Sequence, residues 1–156
     1  YLGRQVRLFL DRAADVAPVR LEANRLVLPI PRGLPPERES DYARAALVDW
    51  YTVRAARVLP RRAAAWSALV GASPSDIVMA EPGKRWGSAA RDGTVRFNWR
   101  IVQAPRRLID YVVAHELVHL VHPDHGRAFW ALLGRVMPDY EERRARLRLL
   151  GPSLLW

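Results

Sequence analysis

The amino-acid sequence predicts an α+β fold, with a central helix packed beside a small antiparallel sheet and a β/α extension on its N-terminal side. Three observations lead there. Short apolar runs with strand character, bounded by turn residues, occur over 5–30 and again over 77–99. Apolar residues recur at helical spacing over 37–70 and from Pro105 onward. Half of the 156 residues are apolar and six are Trp, which is enough to bury one core.

Taken in order, residues 5–10 and 19–30 read as short strands, the latter turning at Glu22-Ala23-Asn24. Pro29, Pro31, Gly33, Pro35 and Pro36 mark a loop. Tyr42, Ala46, Trp50, Val53 and Arg57 then share a helical face. Pro60 is expected to interrupt that helix, because it lacks an N–H and crowds the preceding turn. A second helix is expected over 61–70, stopping at Gly71. Ile77 to Met79 and Val95 to Trp99 have strand character, and Asp92-Gly93 supplies tight-turn chemistry for a hairpin. Pro105 suits the first position of a helix, where its missing N–H costs nothing. This helix should run to about 121, ahead of Pro123. Helices over 126–136 and 138–150 complete the chain. Residues 1–70 are read as an N-terminal extension and 71–156 as the core domain, with a seam at Gly71 to Pro74, the two forming one unit. No internal repeat is visible. The chain opens on Tyr1 and not on Met, which leaves room for residues removed ahead of the first strand.

Composition narrows the function. No apolar run reaches the ~18–20 residues of a membrane span, and no signal-peptide pattern is present, so the expectation is a cytoplasmic protein with no membrane partner. There is no Cys, so disulfides are excluded and any metal must be held by His and carboxylates. The net charge is +9, and every one of the 25 basic residues except Lys84 is Arg. Arg pairs well with phosphate, which makes nucleic acid a candidate partner. The Arg residues are spread along the whole chain, however, and an Ala- and Arg-rich coding bias accounts for them equally well.

The chemistry is concentrated in one place. All four histidines lie between positions 115 and 125, and His115-Glu116-Leu117-Val118-His119 is an HExxH pattern. On a helix, positions i and i+4 fall on one face, so the two imidazoles can converge on one Zn2+ ion. Glu116 is rotated by roughly 100° from His115, within reach of a metal-bound water without being a ligand. Ile109, Val113, Leu117 and Leu120 form an apolar stripe that anchors the helix. The alternative is a core helix with incidental His and Glu, but a buried Glu without a partner costs several kcal/mol.

A third ligand is needed. His122 would continue the row on the same face, but His115 and His122 would then stand about 10.5 Å apart along the axis. One ion with bonds of ~2.1 Å cannot span that row. Pro123-Asp124 turns the chain and lets His125 swing back, so His125 is the expected ligand and His122 a residue of the rim. Three neutral imidazoles leave a fourth position for water, whose pKa the zinc ion lowers towards ~7. Glu116 would take its proton, hydroxide would attack a peptide carbonyl, and Glu116 would pass the proton to the leaving amine. Tyr140 and Arg85 are candidates for stabilising the oxyanion. Asp110 and Asp124 are candidates for orienting a ligand imidazole, although capping or solvation explains both as well.

These residues carry a family resemblance. Arg85-Trp86-Gly87-Ser88, Gly93-Thr94-Val95-Arg96-Phe97-Asn98-Trp99-Arg100, Ala104-Pro105 and the run from Asp110 to Leu120 occur in unbroken order, followed by His125, Phe129-Trp130 and Met137-Pro138-Asp139-Tyr140. Over about Trp66 to Leu147 the chain resembles the YgjP-like metallopeptidases, relatives of the SprT and WLM proteases. The resemblance implies a minimal zincin-like domain with zinc on His115, His119 and His125, and Glu116 as general base. It also implies that the strand Val95 to Trp99 lies above the cleft, where an extended peptide could pair with its edge. SprT-type relatives act on proteins crosslinked to DNA, which gives the basic charge a second meaning by analogy. The family often has Cys where this chain has Ala89, outside the expected ligands. A metzincin would need Gly at His122.

The expected function is therefore zinc-dependent hydrolysis of peptide bonds in a protein or peptide substrate. The competing reading from another class is a catalytically inactive, zinc-stabilised module associated with nucleic acid, which would want a fourth protein ligand such as His122 or Asp124. Hydrolysis of a non-peptide amide would use the same machinery.

Overall fold

Among the described residues, alternating patterns and turn chemistry yield six short strands, and the apolar periodicity yields four α-helices. In the computed structural model, which describes residues 1–12, 17–81, 83 and 85–156, the first sheet contains β1 (Arg7–Asp11), β2 (Arg20–Glu22) and β3 (Arg25–Pro29). The second contains β4 (Asp76–Ala80), β5 (Gly87–Ala89) and β6 (Thr94–Asn98). The strand orders are β1-β3-β2 and β4-β6-β5. In both, the last strand takes the centre, with the first parallel to it and the second antiparallel.

The small sheet is thus mixed, not wholly antiparallel as the sequence suggested. The Asp92-Gly93 turn does make a hairpin, but it joins β5 to β6, with Ala89 opposite Val95. β4 instead lies parallel to β6, with Ile77 opposite Val95. The physical reason lies in chain length. A tight turn joins only neighbours in sequence, so the residues between β4 and β5 let β4 cross to the far side of β6. Gly93 has φ +86, and a Cβ there would lie 2.9 Å from Ser75 Oγ. The turn is closed by Thr94 N–H donating to Asp92 Oδ1 at 2.9 Å.

α1 (Pro36–Val70) is one helix of 35 residues, with Pro60 inside it. The expected break does not occur. Ala55, Leu59, Ala63, Ser67 and Val70 keep one buried stripe on both sides of Pro60, packed against the next helix and the 3-10 turn at Trp99–Gln103. That continuous burial offsets the ~3 kcal/mol a helical proline costs. Gly71 ends the helix in the left-handed region, its N–H donating to Ser67 O at 2.8 Å.

α2 (Arg106–His119) follows Pro105, then come α3 (Arg127–Val136) and α4 (Tyr140–Leu150). α2 is buried on nearly every side, from Leu108 through Ala114. It sits between α1, α4 and β5. A bidentate pair ties it to α1, with Arg62 donating to Asp110 at 2.6 and 2.5 Å. The core cluster takes Leu26, Trp50 and Leu59 from one side of Gly71, and Val95, Phe97, Leu117 and Phe129 from the other. Among the described residues, no helix is long and apolar enough to cross a membrane.

Candidate active site

The floor of the site is the last turn of α2. His115 and His119 share a face there, and the apolar stripe below them is fully buried at Val113 and Leu117. After His119 the helix ends, and residues 120–125 double back. Asp124 Oδ1 accepts from Gly126 N–H at 3.0 Å, a local turn that starts α3 and delivers His125 over the helix end. His125 Nε2 then lies 3.2 Å from His119 Nε2 and 3.0 Å from His115 Nε2. The potential ligand atoms of the three rings fall within 4.8 Å of one another. Phe129, with no exposed surface, packs against all three imidazoles at centroid distances of 4.5 to 4.8 Å. Trp130 stacks on His125 at 5.5 Å.

This donor set fits a metal ion. His119 Nδ1 faces the His122 carbonyl oxygen at 3.2 Å, so the proton belongs on Nδ1 and the Nε2 lone pair points into the cluster. His115 Nδ1 is buried without a hydrogen-bond partner among the described residues, which leaves Nε2 to recover the cost of burying that ring. Burial, with His119 and His125 nearby, pulls His115 down to about 3, so its imidazole is neutral and able to coordinate. Tetrahedral zinc with bonds of ~2.1 Å would hold nitrogens roughly 3.4 Å apart, close to the spacings found.

Glu116 points elsewhere from its neighbours, as the helix rotation requires. It is 6% exposed, and burial raises its carboxyl to about 8, against the opposing charge of Arg85. A divalent cation beside it would act in the opposite sense and favour the carboxylate. Its side chain lies flat against β5. A Cβ added at Gly87 would come within 2.7 to 2.9 Å of Glu116 Cγ, Oε1 and Cδ. Only glycine lets the strand approach the carboxylate this closely.

The other residues named from the sequence take less direct positions. Arg85 borders the cleft. Tyr140 is outside the residues that line it. Its hydroxyl donates to Glu141 at 3.2 Å and its ring stacks on Trp130. Asp110 is held by Arg62 and reaches no imidazole. Asp124 builds the turn described above, and its charge acts on His119. His122 stands outside the three-histidine group and contributes through its backbone carbonyl, not its ring. β6 is flanked on both sides, so the strand expected to offer a free edge has none. Among the described residues, the sheet edge on the cleft belongs to β5.

Two residues with no role assigned from sequence also face the site. Tyr111, four positions before His115, lines the cleft 5.7 Å from the His115 ring. Its helical spacing was the available signal. Gly87 had none, because its partner is reached across the sheet. The cleft itself holds about 1110 Å3 and is bounded by α2, α4 and the segment 85–93. That exceeds the ~300–1,000 Å3 of most small-molecule pockets.

The fold and the site define a metallopeptidase-type domain. The profile of the YgjP-like, metallopeptidase domain family matches residues 1–149, and the chain belongs to that family of metal-dependent peptide hydrolases. The matched residues take in the N-terminal sheet and α1 as well as the stretch from Trp66 onward. Among solved structures, the metallopeptidase zymogen of Pyrococcus abyssi abylysin shares the fold. It has 17% identity and a TM-score of 0.53, over 58% of this chain and 91% of that one. Curated proteins give no significant match.

Proposed function

We propose that the chain is a zinc-dependent peptidase in which His115, His119 and His125 hold one ion and Glu116 is the general acid–base. The observation that carries this reading is the convergence of three Nε2 atoms beside a carboxyl buried against Gly87, all opening on one cleft. A bound zinc ion supplies Lewis acidity that polarises a carbonyl and acidifies water. The protein does the rest. Glu116 accepts the proton of the attacking water and delivers it to the leaving amine. The snug contact with Gly87 limits its rotamers, so the carboxylate is in place before substrate arrives. Arg85, on the same cleft, is placed to favour negative charge developing on the carbonyl oxygen. The free edge of β5 offers backbone groups to an extended peptide.

A closed structural zinc site would need a fourth protein ligand. Among the described residues none joins the three histidines, and Asp124 Oδ1 is engaged by Gly126. This supports an open position and so catalysis over a purely structural metal. The test compares the native protein with Glu116→Gln for zinc content and cleavage of an unfolded protein. The variant should retain zinc and lose roughly 10²–10⁴-fold in rate, the range attributed to general acid–base groups. Equal cleavage by both proteins would sink the mechanism.

A further inference from the structure

The cleft is unusual in its charge. Arg85, Arg91, Arg144 and Arg148 all line it, whereas Glu116 is its sole carboxylate among the described residues. Elsewhere in the molecule acids stand beside arginines. Asp110 holds Arg62, Glu81 holds Arg100, and Asp139 holds both Arg107 and Arg143. None of the four cleft arginines enters a salt bridge among the described residues.

Two of them are placed by the fold itself. Arg144 and Arg148 are one turn apart on α4 and so present their side chains to the same side. The Arg144 guanidinium lies 4.9 Å from the Trp130 ring, which in turn stacks on His125. Those contacts place a cation one aromatic ring away from the proposed metal centre. Arg85 and Arg91 come from a different element, on the two sides of β5. A cleft with low-dielectric walls and charge of one sign focuses its field on whatever enters.

We infer that this site selects polypeptide segments carrying Asp or Glu close to the scissile bond, with Arg144 and Arg148 as specificity-determining residues. The inference rests on the peptidase reading and deepens it. Acidic side chains pair with the guanidinium forks, while Lys and Arg in the same positions meet like charge. Nucleic acid is the less favoured occupant, because the arginines surround a three-histidine centre inside a cleft instead of tracking a backbone along an open face.

The test uses one peptide sequence in three versions, with Glu, Gln or Lys on both sides of the central bond. For the zinc-loaded native protein, kcat/KM for the Glu peptide should exceed that for the Gln peptide by roughly tenfold or more, the scale of one hydrogen bond to a charged group. The Lys peptide should be the poorest. The Glu-to-Gln ratio should collapse towards one in Arg144→Gln/Arg148→Gln and shrink in high salt. Equal rates for the Glu and Gln peptides, or a ratio untouched by the double substitution, overturns the inference while leaving the peptidase reading intact.

A binding arm separates the two claims. Titration of the zinc-loaded Glu116→Gln protein by tryptophan fluorescence should show the same order of affinities without turnover. Selective binding that depends on Arg144 and Arg148, with no cleavage of any peptide by the native protein, would overturn the peptidase reading and leave only the cleft's preference for acidic segments. A single-stranded oligonucleotide of equal charge that binds more tightly than the Glu peptide, and loses that affinity in the double variant, would reassign the arginines to phosphate and overturn it.

Discussion

The two sheets of this protein have one topology and two fates. β1-β3-β2 and β4-β6-β5 each place the last strand centrally, with one parallel and one antiparallel neighbour. Yet the first carries no candidate site residue, and the second borders the cleft. Both touch α1, through β3 and through β4, and what differs is the second sheet's contact with α2. The second sheet sets β5 against α2, the helix that holds His115, Glu116 and His119. The first sheet leans on α1 through β3, whose Leu26, Val27 and Leu28 are buried, while Leu8 and Phe9 of β1 stay half exposed. Topology sets where strands go; the chemistry depends on what lies across from them.

The same contrast shows in the antiparallel edge strands, β2 and β5. β2 is Arg-Leu-Glu, with its charged ends in solvent. β5 is Gly-Ser-Ala, with all three residues partly buried. Small residues allow backbone to approach side chain, and Gly87 uses that freedom against Glu116.

These differences order the expected effects of mutation. The largest should come from His125→Ala in the loop after α2. It removes the nitrogen that lies between the other two, so zinc stoichiometry and hydrolysis should both be lost, whereas His122→Ala should retain the metal. Loss of zinc in His122→Ala with retention in His125→Ala would reverse the ligand assignment. Next is Gly87→Ala in the site-bearing sheet. The new methyl displaces the Glu116 carboxylate, and a drop of roughly 10²-fold in kcat is expected with zinc content unchanged. An unaffected rate would mean that the close contact does not set the position of a working Glu116.

The first sheet should respond in stability instead of chemistry. Leu28→Ala empties a fully buried position in β3 and should cost about 2–4 kcal/mol in denaturant unfolding. Its kcat per folded, zinc-loaded molecule should remain near native. A selective fall in kcat would show that this sheet acts on the cleft after all. The smallest effect should have the opposite sign. Ala23, in the β2–β3 turn, has φ +52, a conformation that costs an L-residue roughly 1–2 kcal/mol. Ala23→Gly should therefore raise the unfolding midpoint slightly, the relief being partly offset by the entropy of glycine. A lowered midpoint would argue that the turn is not strained.

The legible and illegible parts of the sequence divide along the same lines. The i, i+4 spacing of His115 and His119 is a local property of a helix, so it could be read directly. The turn that brings His125 beside His115 and His119 was legible in Pro123, because proline restricts the residue before it whatever surrounds it. Pro60 misled for the complementary reason. Its cost is local, but the buried stripe from Ala55 to Val70 that outweighs it is a tertiary contact. The β4 direction was equally hidden, since strand pairing is decided by partners far away in sequence.

By itself, then, the sequence determined the HExxH pattern with a third histidine beyond it, the α+β class and the helix that bears the candidate site, all through short-range periodicity and spacing. Tertiary structure alone decided that, among the described residues, β5 offers the sheet edge on the cleft, Gly87 is the surface against which Glu116 rests, and four arginines share the cleft with a single carboxylate. Each of those requires residues distant in sequence to meet, and such meetings are fixed by packing the whole core, not by any local preference.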